Sequence, residues 1–142
     1  MFPRVAVIIL SYNSRQDLPD CLSSLAVVMY PADRYQVVVV DNGSTDGCAA
    51  WVREHYPAVT VLAGHGNLGY VGGNNLGIAW ALERGYDFVY LLNPDTMVAP
   101  DFLTAAVAVA QGEGRVGAVQ SKLLLHPDRG LVNSWGNELH FL

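Results

Sequence analysis

The stretch VAVIIL, from Val5 to Leu10, is an unbroken run of six apolar residues. A continuous apolar run of this length is typical of a strand that is covered on both faces, as in a parallel sheet. Similar runs recur further along the chain, as YQVVVV (35–40), VTVLA (59–63), FVYLL (88–92) and VGAVQSKLLL (116–125). The sequence therefore predicts five buried strands, the last of them bent.

Helical patterns separate these runs. Leu18, Cys21, Leu22 and Leu25 follow the spacing of one helix face, with Asp17 as the predicted N-cap and Pro19 in the first turn. A short helix that Thr45 or Asp46 caps is expected before Pro57, a third helix runs through Leu76 and Leu82 to Gly85, and a fourth covers 101–111. Strands that alternate with helices predict right-handed βαβ units and one α/β domain over residues 1–142.

Composition narrows the function classes. The net charge is −5 and the eight Lys and Arg residues form no cluster, which argues against a nucleic-acid partner. Cys21 and Cys48 fit no zinc or redox spacing, so buried, reduced thiols are expected. Neither a signal peptide nor an apolar run of membrane-spanning length occurs, which favours a cytoplasmic location with peripheral membrane contact allowed.

The polar clusters fall at the carboxyl ends of the predicted strands. They are Ser11-Tyr12-Asn13, Asp41-Asn42, the glycine-rich segment 64–77 and Asn93-Pro94-Asp95. Ligands of open α/β sheets bind at this edge, near the point where the strand order reverses. Each cluster also has an ordinary structural interpretation, since Asp41 can form an Asx-turn, Tyr12 can pack on a loop and Asp95 can cap a turn or helix. Their coincidence at one edge favours a ligand site.

The segment from Gly64 to Gly69 spells GxGxxG, the fingerprint of dinucleotide-binding folds. In those folds the fingerprint follows the first strand, whereas here it follows the third, and the first strand's loop has no glycine. A dehydrogenase is therefore disfavoured. We expect the glycines to allow positive φ angles or close contact with a ligand, and Asn74 and Asn75 to begin a helix whose free N–H groups suit a diphosphate.

Four segments in this order resemble the donor-binding half of family 2 glycosyltransferases: VAVIILSYNS, VVVVDNGSTDG, GNLGYVGGNNLGI and YLLNPDTMVAPDFL. The resemblance spans almost the whole chain, and the rhamnosyltransferase-like branch fits best. It implies the GT-A fold, a Rossmann-like three-layer α/β/α arrangement with a mostly parallel central sheet. It also implies a nucleoside-diphosphate sugar as donor, with dTDP or UDP preferred, and a glycan or lipid-linked glycan as acceptor.

The resemblance assigns roles to individual residues. Tyr12 would lie against the nucleotide, Asp41 would hydrogen-bond the base, and Asn93-Pro94-Asp95 matches the family's metal motif. Asp95 would then hold Mg²⁺ or Mn²⁺ against the donor diphosphate, while Asn75 and its glycine neighbours shape the pocket. The implied donor-binding set is Ser11, Tyr12, Asn13, Asp41, Gly73, Asn75, Asn93 and Asp95.

The sequence departs from the family pattern in two ways. Asn93 replaces the first aspartate of the metal motif, and the late acidic residues match no acceptor-site motif that would supply a catalytic base: Asp101, Glu113, Asp128 and Glu138. The catalytic base is therefore unassigned, and the chain is interpreted as a domain that lacks the acceptor half. The alternatives are a non-catalytic nucleotide-sugar binding module and, less favoured, a sugar-1-phosphate nucleotidyltransferase, whose basic glycine-rich signature after strand one is missing. The apolar tail around Trp135 and Phe141 predicts self-association as a homo-oligomer.

Overall fold

The computed structural model describes residues 2–64, 66–112, 114, 116–128 and 130–134. Its contacts group the chain into two units, Met1–Pro100 and Asp101–Leu142, which are described separately below. The first unit contains, in chain order, β1 (Val5–Ser11), α1 (Leu18–Leu25), β2 (Tyr35–Asp41), α2 (Cys48–His55), β3 (Thr60–Leu62), α3 (Gly69–Glu83) and β4 (Phe88–Leu92). The prediction of a single incomplete domain over 1–142 stays a prediction.

The four strands of the first unit form one fully parallel sheet in the order β3-β2-β1-β4. Val5 of β1 pairs with Tyr35 of β2 on one side and with Phe88 of β4 on the other. The chain therefore proceeds outward from β1 to β3 and then returns to the opposite side of β1. This reversal places the switch point, where α/β sheets bind their ligands, between β1 and β4.

Helix α3 covers one face of the sheet. Ala6 and Ile8 of β1 form a buried cluster with Val38, Val40 and Ala81, and partly buried side chains pack around it: Leu10, Leu62, Leu76, Trp80, Tyr86 and Val89. Alternate side chains of a strand point to opposite faces, so Val7, Ile9 and Val39 belong to the other face. The runs of β1 and β2 are thus largely buried on both sides. The residues of β3 are only half-buried and Leu91 of β4 is 46% exposed, so full burial was predicted wrongly for these two strands.

Helices α1 and α2 cover the opposite face. Ser11, the last residue of β1, points to the face away from α3. Its Oγ lies 3.5 Å from the Sγ of Cys48, which is the first residue of α2. Ser23 Oγ of α1 lies 3.3 Å from Tyr56 Oη, immediately after α2, so the two helices are neighbours. Helices on both faces of a parallel sheet confirm the predicted three-layer α/β/α fold.

The helix ends differ from the sequence prediction in detail. Leu18, Cys21, Leu22 and Leu25 are buried as expected, but Asp17 makes no side-chain capping hydrogen bond. Helix α2 starts after Gly47, whose φ is 77°, so Gly47 occupies the N-cap position that was predicted for Thr45 or Asp46. The Asp46 side chain still accepts a hydrogen bond from the N–H of Cys48, the first helical residue, at 3.0 Å. Gly85, with φ 67°, ends α3 as predicted.

The start of α3 was predicted wrongly. We expected Asn74 and Asn75 at the first turn, but the helix begins at Gly69, so both asparagines lie in its second turn, where Asn74 Nδ2 donates to Tyr70 O at 2.9 Å. The error arose because glycines within a helix resemble a loop in sequence. Their N–H groups consequently do not form the predicted diphosphate site.

The second unit contains α4 (Phe102–Gly112) and an antiparallel pair, β5 (Leu123–Leu124) with β6 (Val132–Ser134). The predicted strand 116–125 was therefore wrong in extent, since residues 116–122 form no ladder. Gly117 and the polar residues 120–122 interrupt the strand pattern there. Residues 135–142, including the tail predicted to drive self-association, lie outside the described residues, as do Glu113 and Glu138. In the described part of the chain, no helix combines the length and apolarity needed to span a bilayer.

Candidate functional site

An open cleft of about 490 Å³ lies in the first unit at the carboxyl ends of β1, β2 and β4. This volume is in the range of small-molecule sites. Its lining is mixed polar and aromatic: Leu10, Tyr12, Ser14, Asp17, Asn42, Asn67, Gly69, Tyr70, Asn93, Pro94 and Asp95. The cleft therefore occupies the switch point that the strand order defines.

Three predicted residues lie at the end of β1. Ser11 is fully buried, and its hydroxyl contacts Cys48 Sγ of α2. Tyr12 is 53% exposed and lines the cleft. Asn13 adopts a left-handed φ of 54°. Its Oδ1 accepts a hydrogen bond from Thr45 N at 2.8 Å, and its backbone N–H donates to Ser44 Oγ at 3.0 Å. Asn13 thus connects the loops that follow β1 and β2.

The Asp41 side chain at the end of β2 holds the turn that follows it, through a bond three residues on rather than the two of the Asx-turn that the sequence allowed. Its Oδ1 accepts a hydrogen bond from Ser44 N at 3.0 Å, and Cys48 Sγ lies 3.7 Å from the same oxygen. Asp41 is 9% exposed. Among the described residues that line the cleft, β2 contributes its neighbour Asn42 instead. The base-binding role that the resemblance gives to Asp41 stays a prediction.

Asn42 is a site residue that the sequence analysis treated only as part of a turn. Its Oδ1 accepts a hydrogen bond from Leu68 N at 2.8 Å, and its Nδ2 donates to Asn67 Oδ1 and Gly69 O, both at 3.2 Å. Asn42 therefore fastens the loop before α3 to the end of β2. In the sequence, Asn42-Gly43 directly after a predicted strand indicates a turn, and it does not indicate these partners.

The two predicted α3 residues, Gly73 and Asn75, lie outside the described cleft lining, and the donor-binding role of each stays a prediction. A Cβ atom on Gly73 would overlap Leu10 Cδ1 and lie 3.3 Å from Asn42 Cγ, so this glycine lets the helix approach the strand ends. Asn75 is exposed and is not part of the described cleft lining. Tyr70, in the first turn of α3, lines the cleft and was not predicted.

Asn93, Pro94 and Asp95 follow β4 and all line the cleft. Asn93 O accepts a hydrogen bond from Thr96 N at 3.3 Å, so the segment is also an ordinary turn. Cys21 Sγ donates to the same carbonyl at 3.8 Å. Burial, with a smaller contribution from the Asp95 charge, raises the pKa of the Cys21 thiol to about 12. The turn thus presents the exposed Asp95 carboxylate to the cleft above a buried, neutral thiol.

Asp17 is a second carboxylate in the lining, and sequence analysis assigned it to helix capping. No cluster of three or more His, Cys, Asp or Glu side chains suited to a metal occurs among the described residues. Mg²⁺ typically binds through one or two carboxylates, with phosphate oxygens and waters completing its shell. An exposed aspartate in a cleft fits that mode of binding, in which the ligand supplies most of the oxygens.

Comparison with known proteins agrees with this geometry. The profile of the family described as glycosyl transferase family 2 matches residues 6–124. This chain belongs to glycosyl transferase family 2. The family membership inferred from the four sequence segments is thereby confirmed, and so is the conclusion that the chain is glycosyltransferase-like rather than a dehydrogenase.

Two curated relatives of this family 2 chain are each 31% identical to it. The undecaprenyl-phosphate mannosyltransferase of Micrococcus luteus aligns with 96% of the chain and 58% of its own length. The N-acetylglucosaminyl-diphospho-decaprenol L-rhamnosyltransferase of Mycobacterium tuberculosis aligns with 90% of the chain and 43% of its own length. The chain therefore spans about half the length of these relatives.

A solved structure supports the fold. The mannosyltransferase PcManGT from Pyrobaculum calidifontis, in complex with GDP-Man and Mn²⁺, superposes with a TM-score of 0.70 at 31% identity. The superposition covers 82% of this chain and 34% of that one. A parallel sheet with flanking helices is thus shared with a nucleotide-sugar enzyme.

Proposed function

We propose that this chain is the donor-binding part of an inverting glycosyltransferase. It binds a nucleoside-diphosphate sugar together with Mg²⁺ or Mn²⁺, and the sugar passes to a hydroxyl of a glycan or lipid-linked glycan. The observation that carries the proposal is the cleft at the β1/β4 switch point, where Tyr12 and Asp95 face the same space. The metal and nucleotide sugar bound by PcManGT support the same assignment.

Each side of the cleft has a distinct proposed task. The exposed ring of Tyr12 offers a face against which a nucleobase stacks, and aromatic stacking favours any base. Asp95 provides the carboxylate for the metal, and the Asn93 side chain, with no charge of its own, lies beside it without adding repulsion toward phosphate. The first turn of α3, with Tyr70 and the loop that Asn42 holds, closes the third side.

The chemistry needs charge stabilisation on the leaving group. As the bond to the anomeric carbon breaks, negative charge develops on the nucleoside diphosphate, and a divalent metal held by Asp95 would offset it. Inversion also needs a base that takes the proton of the acceptor hydroxyl. We assign that role to no residue of this chain, since Asp101 and Asp128 belong to the second unit and line no part of the described cleft.

A thermal-shift titration tests the proposal. UDP, dTDP and GDP are each added with Mn²⁺, with Mg²⁺ or with EDTA. A ligand at about 100 times its Kd stabilises the folded state by roughly 2.7 kcal/mol, which is an easily measured shift. We expect one nucleotide to stabilise the chain only when metal is present, and Asp95→Asn to lose that response.

The matched control is Asp33→Asn. Asp33 is exposed and pairs with Arg34 just before β2, at the sheet edge opposite the cleft. It carries the same charge change, so its response to nucleotide and metal should equal that of the wild type. A metal-dependent shift of normal size in Asp95→Asn, or no shift with any nucleotide in the wild type, would contradict the proposal.

A further inference from the structure

We propose that Asn42 is a positioning residue of the donor cleft, which holds the loop before α3 in the shape that binds nucleotide. The inference rests on the proposed function. The contact set formed by Asn42 with Asn67, Leu68 and Gly69 is called the Asn42 latch below. Neither the family resemblance nor the sequence pattern assigned this role to Asn42.

The latch uses three of the four hydrogen bonds that an amide side chain can make. Asn42 Oδ1 accepts from Leu68 N at 2.8 Å, while Nδ2 donates to Asn67 Oδ1 and to Gly69 O at 3.2 Å. One amide oxygen and two amide protons are thereby all engaged. An aspartate in the same place keeps the acceptor and loses both donors, and an alanine loses all three bonds.

The surrounding backbone fixes Asn42 itself. Its own N–H donates to Ser11 O at 2.8 Å, which extends the β1–β2 ladder by one bond, and its side chain is only 5% exposed. Gly73 packs against its Cγ from the α3 side. Gly43 has a φ of 84°, and a Cβ there would lie 2.8 Å from Gly66 C and Asn67 N. The loop therefore rests directly on the turn that contains Asn42.

The latch acts on residues that form the cleft. Asn67, Gly69 and Tyr70 line it. The loop contains Gly64 and Gly66, with φ angles of 93° and 66°, and it joins α3 at Gly69, with a φ of 70°. Glycines restrict the chain weakly, so the loop depends on contacts from outside for a single arrangement. If loss of the latch leaves the binding arrangement populated in about one molecule in ten, the apparent Kd rises about tenfold.

The test measures nucleotide affinity separately from stability. Isothermal titration calorimetry is performed with the nucleoside diphosphate and metal that stabilise the wild-type chain, at a temperature where every variant is folded. We expect Asn42→Asp and Asn42→Ala each to weaken binding about tenfold or more. Asn42→Asp keeps the side-chain volume and the bond to Leu68, so it provides a folded test if Asn42→Ala does not fold.

Val5→Ala is the stability-matched control. Val5 is buried at the amino end of β1, far along the strand from the cleft, and its truncation lowers stability by leaving a cavity. Its Kd should stay within about twofold of the wild type, since tenfold requires about 1.4 kcal/mol of binding energy. If the role of Asn42 is purely structural, the Kd of the Asn42 variants will also stay within about twofold of the wild type, and this result would overturn the inference.

Amide hydrogen exchange gives an independent measurement. Exchange at Leu68 should accelerate in Asn42→Ala and stay near the wild-type rate in Asn42→Asp, which retains that acceptor. Unchanged exchange at Leu68 in Asn42→Ala would overturn the latch itself. If the wild type binds no nucleoside diphosphate, the proposed function fails and the affinity claim with it. If the wild type binds and the Asn42 variants bind equally well, only the present inference fails.

Discussion

Replacing Gly77 by alanine tests how α3 packs on the sheet. Gly77 is buried in the middle of this helix, and a Cβ there would overlap Ile8 Cγ2 and lie 3.1 Å from Val40 Cγ2. Ile8 and Val40 are both buried in the core, at 0% and 1% exposure. Neither side chain has free space to move into, so the helix itself must shift.

The expected loss follows from two opposing effects. Overpacking a core by one carbon typically costs about 1–3 kcal/mol. The change from glycine to alanine in a helix returns up to about 1 kcal/mol. We therefore expect the free energy of unfolding to fall by about 1–2 kcal/mol, which lowers the melting temperature of a chain of this size by roughly 3–8 °C.

Gly112→Ala is the matched control. Gly112 is the last residue of α4, and a Cβ there meets no atom within 4 Å. This variant gains helix propensity without a clash, so its stability should be unchanged or slightly higher. Thermal and urea unfolding followed by circular dichroism measure both variants. If Gly77→Ala proves as stable as Gly112→Ala, the close contact between α3 and β1 is refuted.

Two further predictions concern the stability of the folded chain. The pKa of the Cys21 thiol is raised to about 12 by burial and by Asp95, and burial also raises that of Cys48, while unfolded thiols ionise near 8.5. Below about pH 8.5 both thiols are protonated in the folded and the unfolded chain, so their contribution to stability is fully present there. Above this pH they ionise first in the unfolded chain, and the free energy of unfolding should fall by up to about 1.4 kcal/mol per pH unit for each thiol. Urea unfolding at increasing pH should show a shallower decline in Cys21→Ala, and an equal slope would contradict this. Arg4→Ala removes a hydrogen bond to Arg84 O at 2.8 Å and the stacking on Tyr86, so we expect a loss of about 1–2 kcal/mol. Arg53→Ala, an exposed change on α2, should cost under about 0.5 kcal/mol, and equal losses in the two would refute the role of Arg4.

Local patterns were enough to predict the central layers of the fold. The run Val5–Leu10 and the helical spacing from Leu18 to Leu25 correspond to β1 and α1 because burial on both faces, or along one stripe, leaves a periodicity in the sequence. The parallel sheet followed from the alternation of such segments. Among the described residues, the strand predicted over 116–125 is limited to Leu123–Leu124, and strand pairing depends on segments distant in sequence, which a local apolar pattern does not indicate.

The candidate site was predicted less completely. Tyr12, Asn93 and Asp95 line the cleft as expected, since they directly follow strands whose carboxyl ends share one edge. The close packing of Gly73 on Leu10 was not predicted, because this contact forms only after α3 docks on the sheet. Asn42 was overlooked for the same reason, since its partners lie about 25 residues further along the chain. Contacts of this kind have no local signal.

Paramagnetic broadening by Mn²⁺ tests the central claim most directly. The isotope-labelled chain is titrated with Mn²⁺ in the presence of the nucleoside diphosphate that stabilises it, and the loss of each amide signal is followed by NMR. We predict that the amides of residues 93–96 broaden first, followed by those near Tyr12 and Tyr70, and that Asp95→Asn abolishes the effect. Broadening centred elsewhere, or unchanged in Asp95→Asn, would show that the cleft at the β1/β4 switch point is not the metal-dependent donor site.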